Sequence, residues 1–324
     1  MKTKPKVVLG IDVSKTKLDV CLLRPESSPL AQSFSNDPVG FTRLAAWLHQ
    51  QSVAHTHVGL EATGPYSRRI AQFLHEQSHT VSVLNPARPK SFAQARGCRN
   101  KTDGIDCQTL AEFVLAQSPE AWEPLSEEMA ALQELVRRRE DLLVMHGAEQ
   151  ARQEGASAQI AKSINRIVKA IQSEIQRIEQ ALEELIQSSP ELRRQRRLLC
   201  TIKGVREITA AKILAELGDP KRFAQARQAG AFAGLTPKLH QSGKRQSSVG
   251  RICRIGSPLL RKALYLPSIV AMTHNPRFKV FAHRLRKAGK PPKVIITAVM
   301  RKLIVTATAM LRNDQPFQLE HSPC

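Results

Sequence analysis

The chain has 324 residues, 42% of them hydrophobic, and carries a formal charge of +21 with an isoelectric point of about 10.2. That length supports two or three cored domains at ~100 to 200 residues each and excludes a disordered tail. The charge calls for a polyanionic partner, and no apolar run is expected to reach the ~20 residues of a bilayer span, so nucleic acid is the polyanion expected.

The opening "MKTKPKVVLGID" passes from basic residues through a short apolar stretch straight into charge, unlike a signal peptide, so the product is expected in the cytosol. Six cysteines lie far apart without a C-x-x-C pair, which argues against a zinc knuckle or a disulfide framework and for reduced thiols in packing roles. The charge is uneven. Residues 1–120 hold 14 Lys/Arg and 10 Asp/Glu, residues 121–219 hold 15 and 16, and residues 220–313 hold 20 and none. An ordinary solvated surface mixes both signs, whereas a stretch this long without a carboxylate fits a phosphate-tracking surface. The same stretch has no carboxylate with which to bind a divalent metal.

In chain order, "KVVLGIDV" (Lys6 to Val13) and "KLDVCLL" read as two antiparallel strands at hairpin distance. "VGFTRLAAWLHQQ" has helical spacing, "HTHVGLEATG" is a strand ending at Glu61, "YSRRIAQFLHEQ" is a helix, and "TVSVLNP" is a strand stopped by Pro86. The helix-like "NKTDGIDCQTLAEF" follows. This alternation predicts an α/β sheet domain over residues 1–122, with Asp12 and Glu61 at the C-terminal ends of strands, where ligand chemistry gathers in such sheets.

Residues 123–189 change to long helices. Ile160, Ile164, Ile167, Ile171, Ile175, Ile178, Leu182 and Leu185 follow a heptad seam with one stutter, which predicts a coiled coil. The spacing is compatible with a hairpin onto the segment around Leu132, Val136 and Leu143, turning at "QEGASAQ", and equally with dimerisation. Residues 190–314 read as all-helical, with residues 315–324 a loose tail. "RRLLCTIKGVREITAAKILAELGD" has the form of a helix-hairpin-helix unit turning at Ile202 to Val205, which would offer backbone N–H groups to a phosphate, or of a plain helical turn. "TPKLHQSGKRQSSVGRICRIGSP" lacks periodicity and reads as a loop long enough to be functional, before helices near 257–274, 276–288 and 293–311.

Asp103 and Asp106 share a helix face at i and i+3, an arrangement of like charges that a divalent cation relieves. If the sheet brings Asp12 and Glu61 near the start of that helix, the four carboxylates converge and can hold one or two Mg²⁺ ions suited to phosphoryl transfer. Singly, each has an ordinary explanation: a turn aspartate for Asp12, a solvated strand end for Glu61, a helix-dipole charge for Asp103.

"GIDVSKTKLDV", "LEATGPY" and "LNPARPKSFAQARGCRNKTDGIDCQTLAEF", followed by "AGAFAGLTPKLHQSGKRQSSVGRICRIGSPLLRKALY", resemble the transposases of the insertion sequence 110 family over nearly the whole chain. Cys107 stands where that family often has alanine, and Arg254 where it often has lysine. The resemblance implies a RuvC-like (RNase H-like) N-terminal domain with an Asp-Glu-Asp-Asp set at Asp12, Glu61, Asp103 and Asp106, and a C-terminal transposase domain whose nucleophilic serine falls on Ser242. It further implies Mg²⁺, a structured noncoding bridge RNA that pairs with donor and target DNA, a homo-oligomer, and a composite active site that forms a phosphoserine link to DNA.

On residue type alone Ser247 or Ser248 would serve as well as Ser242. Lys244, Arg245, Arg251, Arg254 and, on the following helix, Arg261 are the cations expected at phosphate. Aromatic residues are 4% of the chain, too few to stack many splayed bases, so RNA would be held by backbone and shape. Three rivals remain: a RuvC-like nuclease or junction resolvase with an inert Ser242, a kinase-like ATPase suggested by "GIDVSKTKLDV", and a non-catalytic RNA-binding protein.

Overall fold

The computed structural model describes residues 7–62, 64–97, 103–238, 241–242, 245–246, 251–253 and 255–318, and the chain divides into two compact units, residues 1–124 and 125–324. The first unit is a five-stranded mixed sheet with helices on both faces. Strands β1 (Val8–Val13), β2 (Lys17–Leu23) and β3 (Leu30–Ser35) form an antiparallel meander, and β4 (His57–Glu61) and β5 (Thr80–Leu84) add in parallel on the other side of β1, giving the order β3-β2-β1-β4-β5. β3 has no counterpart in the sequence reading. It is an edge strand with mostly exposed side chains, so no alternation marks it, and its pairing to β2 holds it in place.

Strand alternation divides this sheet into two faces. Leu9, Ile11, Leu18, Val20, Leu22, Val58 and Leu60 face one way and bury against α1 (Pro38–Gln50) and α2 (Pro65–Glu76) through Phe41, Leu44, Leu48, Ile70 and Leu74. Asp37 caps α1, accepting from Gly40 N at 2.7 Å. The opposite face takes α4 (Asp103–Gln117), with Val8 against Ala111 and Val114, and Leu84 against Leu110 and Phe113. A short helix α3 (Ala87–Ala95) precedes it and ties to it through the Arg96–Glu112 ion pair.

The second unit is chiefly helical. α5 (Glu127–Arg152) and α6 (Ala158–Ser188) pack as a hairpin turning at residues 153–157, which answers the open question of how the heptad seam is used within the chain. Burial falls on Ile164, Val168, Leu182 and Ile186, while Ile160 and Ile167 stay exposed. α7 (Pro190–Cys200) and α8 (Glu207–Leu217) follow, joined at a turn where Gly204 adopts φ +105° and lies so close to α10 (Pro258–His274) that a Cβ would come 2.9 Å from Pro267 O. α9 (Arg227–Phe232), α11 (Pro276–Lys287) and α12 (Pro292–Asn313) complete the core around Leu214, Leu264, Phe278, Leu303 and Ile304.

Two sequence expectations need correction here. The C-terminal region is not purely helical: β6 (Pro237–Lys238) pairs with β9 (Arg251–Ile252), and β7 (Gln241–Ser242) with β8 (Arg245–Gln246). Two-residue ladders are too short to leave a period-2 signal. And among the described residues one helix, α12, is long and apolar enough by length and composition to cross a membrane, because its aliphatic residues outweigh the Arg301-Lys302 interruption. Half of that apolar window is buried inside the unit, as a core helix requires.

Candidate functional site

Asp12 is the fifth residue of β1, and Glu61 is the last of β4. The strands pair in parallel through Ile11 and Leu60, so one further step sets Asp12 beside Glu61 at the strand ends. By alternation both belong to the sheet face that α4 covers, because Gly10 and Gly59, two residues earlier on each strand, meet that helix directly. A Cβ on Gly10 would lie 2.5 Å from Ala111 N and closer still to Cys107 O; one on Gly59 would overlap Val114. Only glycine permits this approach.

The same contacts give the direction of α4. Val8 meets Ala111 and Val114, whereas Gly10 meets Cys107 and Ala111, so the helix runs antiparallel to β1. Its first turn, with Asp103 at its start and Asp106 one turn on, therefore lies toward the end of β1 that carries Asp12. At ~3.3 Å per strand residue and 1.5 Å per helix residue the two advances are comparable, about 6 to 7 Å each. Asp12, Glu61 and Asp106 are all partly exposed; the Asp103 side chain lies outside the described residues. Among the described residues no group of three or more His, Cys, Asp or Glu side chains is gathered closely enough to hold a metal ion.

Asp19 is a neighbour that sequence reasoning missed. It pairs across strands with Asp12 and so shares its face, with Lys17 Nζ 2.8 Å from its Oδ1 and Ser33 Oγ donating at 2.5 Å. The signal was present in the hairpin spacing of "DVSKTKLD", but pairing was needed to see it. Cys21, opposite Gly10, lies against Cys107, and its hydrogen bond with burial pushes the Cys107 thiol far above the ordinary range.

In the second unit, Pro237 pairs with Ile252, and the intervening residues carry the polar loop. Within it Ser242 stands directly across from Arg245 in the β7–β8 ladder. Lys244 and Arg254 lie outside the described residues, as do the side chains of Ser242, Arg245 and Arg251. The foot of the loop is firmly held. Cys253 N donates to Thr236 O at 2.8 Å, and Ser257 caps α10 by accepting from Leu260 N at 3.0 Å. Arg261, expected at phosphate, donates through Nη1 to Ala233 O at 3.0 Å and Gly256 O at 3.2 Å, so this nitrogen clamps the foot of the loop.

Residues 9–156 match a family model described as "Transposase", of the DEDD IS110 type, and residues 196–283 match one described as "Transposase IS116/IS110/IS902 family". The chain is 32% identical over 318 residues to the pilin gene-inverting protein of Moraxella bovis, covering 96% of this chain and 98% of that protein, and equally so to its Moraxella lacunata counterpart. The chain belongs to the IS110 family of transposases. The transposase for insertion sequence element IS1111A of Coxiella burnetii is a more distant relative, 22% identical over 289 residues. An IS110 transposase is a DNA-cleaving and rejoining enzyme of a mobile element, and DNA is its substrate. The first matched stretch contains all four carboxylates, and the second contains the loop with Ser242 and its cations.

Proposed function

We propose that this IS110 transposase cuts and rejoins donor and target DNA through a phosphoserine link on Ser242, assisted by Mg²⁺ at Asp12, Glu61, Asp103 and Asp106 and guided by a structured bridge RNA. The observation that carries the reading is the adjacency of Asp12 and Glu61 on the face covered by α4, with the Asp103 and Asp106 turn lying toward them. The β3-β2-β1-β4-β5 order around them fits a RuvC-like, RNase H-like domain. An oxygen-only donor set suits a hard cation such as Mg²⁺, and a shared cation would relieve the repulsion between carboxylates drawn toward it. Bound there, Mg²⁺ would supply Lewis-acid polarisation of a phosphoryl oxygen.

In this reading the Ser242 hydroxyl gives up its proton and its oxygen displaces one DNA oxygen at phosphorus, leaving a phosphoserine and a free DNA hydroxyl. A hydroxyl of the exchanged strand then reverses the step and releases the serine, so the number of phosphodiester bonds is conserved. Lys244, Arg245, Arg251 and Arg254 hold the phosphate and offset its developing charge. With 20 basic residues and no carboxylate, residues 220–313 supply the electrostatic hold on nucleic acid, while base pairing by the guide supplies sequence choice. Exposed Ile160 and Ile167 on α6 leave apolar surface for a second copy of the chain, in line with a homo-oligomer.

The test is a covalent-adduct assay on a denaturing gel with full-length protein, Mg²⁺, RNA transcribed from the element's noncoding flank, and labelled donor and target DNA. A DNA-linked protein band that vanishes in Ser242→Ala, in Asp12→Asn and with chelator is expected. Free cleaved ends without a band, unchanged by Ser242→Ala, would leave a RuvC-like nuclease instead.

A further inference from the structure

A cavity of about 590 Å³ opens beside α12, in the size range of small-molecule sites. Leu235, Val294, Ala298 and Val305 contribute to an apolar lining, together with the ring of Phe281 from α11. Lys293, Arg301 and Lys302 bring three cations to the same cavity, and Lys302 Nζ sits 4.5 Å from the centre of the Phe281 ring. All of these residues belong to the 94-residue stretch that contains no Asp or Glu. Pro237 and Ile252, the pair that closes the foot of the Ser242 loop, form another part of the wall.

An apolar slot with one aromatic ring and three cations has two chemistries to satisfy, a flat uncharged body and an anion. A nucleotide supplies both: its base can enter the slot against Phe281, while its phosphate meets the lysines and arginine. A greasy peptide would make no use of the positive charge that Lys293 and Arg301 bring to the wall, and an inorganic phosphate would leave the apolar lining wet. The site's position at the root of the Ser242 loop favours the strand that the loop handles. We propose that this cavity receives one unstacked base of the DNA strand held against the Ser242 loop, so that the strand is gripped by a base as well as by its phosphates. The proposal rests on the nucleic-acid reading of residues 220–313.

The test compares binding of full-length protein to a labelled oligothymidine and to an abasic oligomer of equal length and charge, with oligouridine as the RNA counterpart. The wild-type chain is expected to prefer oligothymidine over the abasic strand by about ten-fold, the scale of one base stacked on a protein ring. Thr297→Trp and, separately, Val294→Trp should fill the slot from α12 and abolish that preference while abasic binding stays the same. Val294 is 45% exposed, so its substitution leaves the core intact, and thermal melting verifies folding of both variants. If both folded variants keep the preference, the cavity is not the base site. Equal wild-type binding of oligothymidine and abasic strand would overturn the cavity proposal and leave the phosphate-tracking surface standing; binding of neither would overturn that surface as well. A base preference confined to oligouridine would overturn the assignment to DNA.

Discussion

Asp12 stands beside Glu61 because β1 and β4 run parallel and in register, Ile11 opposite Leu60, so that two carboxylates distant in sequence end on the same edge and the same face of one sheet. The glycines two residues earlier, Gly10 and Gly59, let α4 descend onto that face. The acids thus depend on an approach of helix to sheet that tolerates no side chain.

Replacing either strand-end acid should separate catalysis from folding. Asp12→Asn and Glu61→Gln are each expected to lower DNA cleavage by ~10²-fold or more, the scale for loss of an electrostatic contribution to phosphoryl transfer. Both substitutions keep the side chain's size at a partly exposed strand end, so thermal stability should change by no more than about 0.5 kcal/mol. Cleavage rates and melting curves on the same preparations check this; a folded variant with wild-type cleavage would sink the role of that acid.

Gly10→Ala should act in the opposite way. The added methyl collides with backbone atoms of Cys107 and Ala111, which cannot swing aside as a side-chain tip can. A loss of about 3 kcal/mol in the first unit is expected from this overpacking, read in urea unfolding followed by Trp47 and Trp122 fluorescence. A control, Gly97→Ala, has open space around its Cβ, and its φ of +75° predicts only a small strain cost of about 1 kcal/mol.

Glu140 is an acid that stability depends on. Its side chain is 7% exposed and joins Lys212 and Lys262, whose ammonium lies 2.8 Å from Oε2. Burial by itself would raise this carboxyl, but hydrogen bonds and charge from the two lysines hold it below the ordinary carboxylate range. Glu140→Gln strands the partly buried Lys212 without its counter-charge and should cost about 3 kcal/mol in the second unit. Chemical denaturation of the variant, with Lys262→Met as a milder comparison, measures it.

The Glu183–Arg196 pair gives a pH dependence. Hydrogen bonds from Arg196 and then Gln187 hold the Glu183 carboxyl down to about 2, against an ordinary value of 4.5. A depressed carboxyl contributes stability above its unfolded value and loses it as pH falls through its folded value. Glu183 is half exposed, which limits the contribution to about 1 kcal/mol. Glu183→Gln should therefore be less stable than wild type above pH 4.5 and converge with it as pH approaches 2. Parallel melting curves across that range decide it.

Much of this molecule is legible from local pattern. Apolar runs mark β1, β2, β4 and β5, the heptad spacing marks α6, and the absence of carboxylates marks residues 220–313 as the basic stretch of the chain. These features are periodic or compositional, and each residue carries its share of the signal. Tertiary structure decided the rest. β3 owes its place to pairing with β2, Asp19 joins Asp12 only through the hairpin register, and α5 folding back on α6 buries part of the heptad seam, at Ile164 and Leu182, while Ile160 and Ile167 stay exposed. Arg261 looks like a phosphate contact in a row of cations, yet its Nη1 is committed to two backbone carbonyls. Periodicity reports that a face will be buried, but which element covers that face, and so which side chains meet there, is set by packing between segments far apart in the chain.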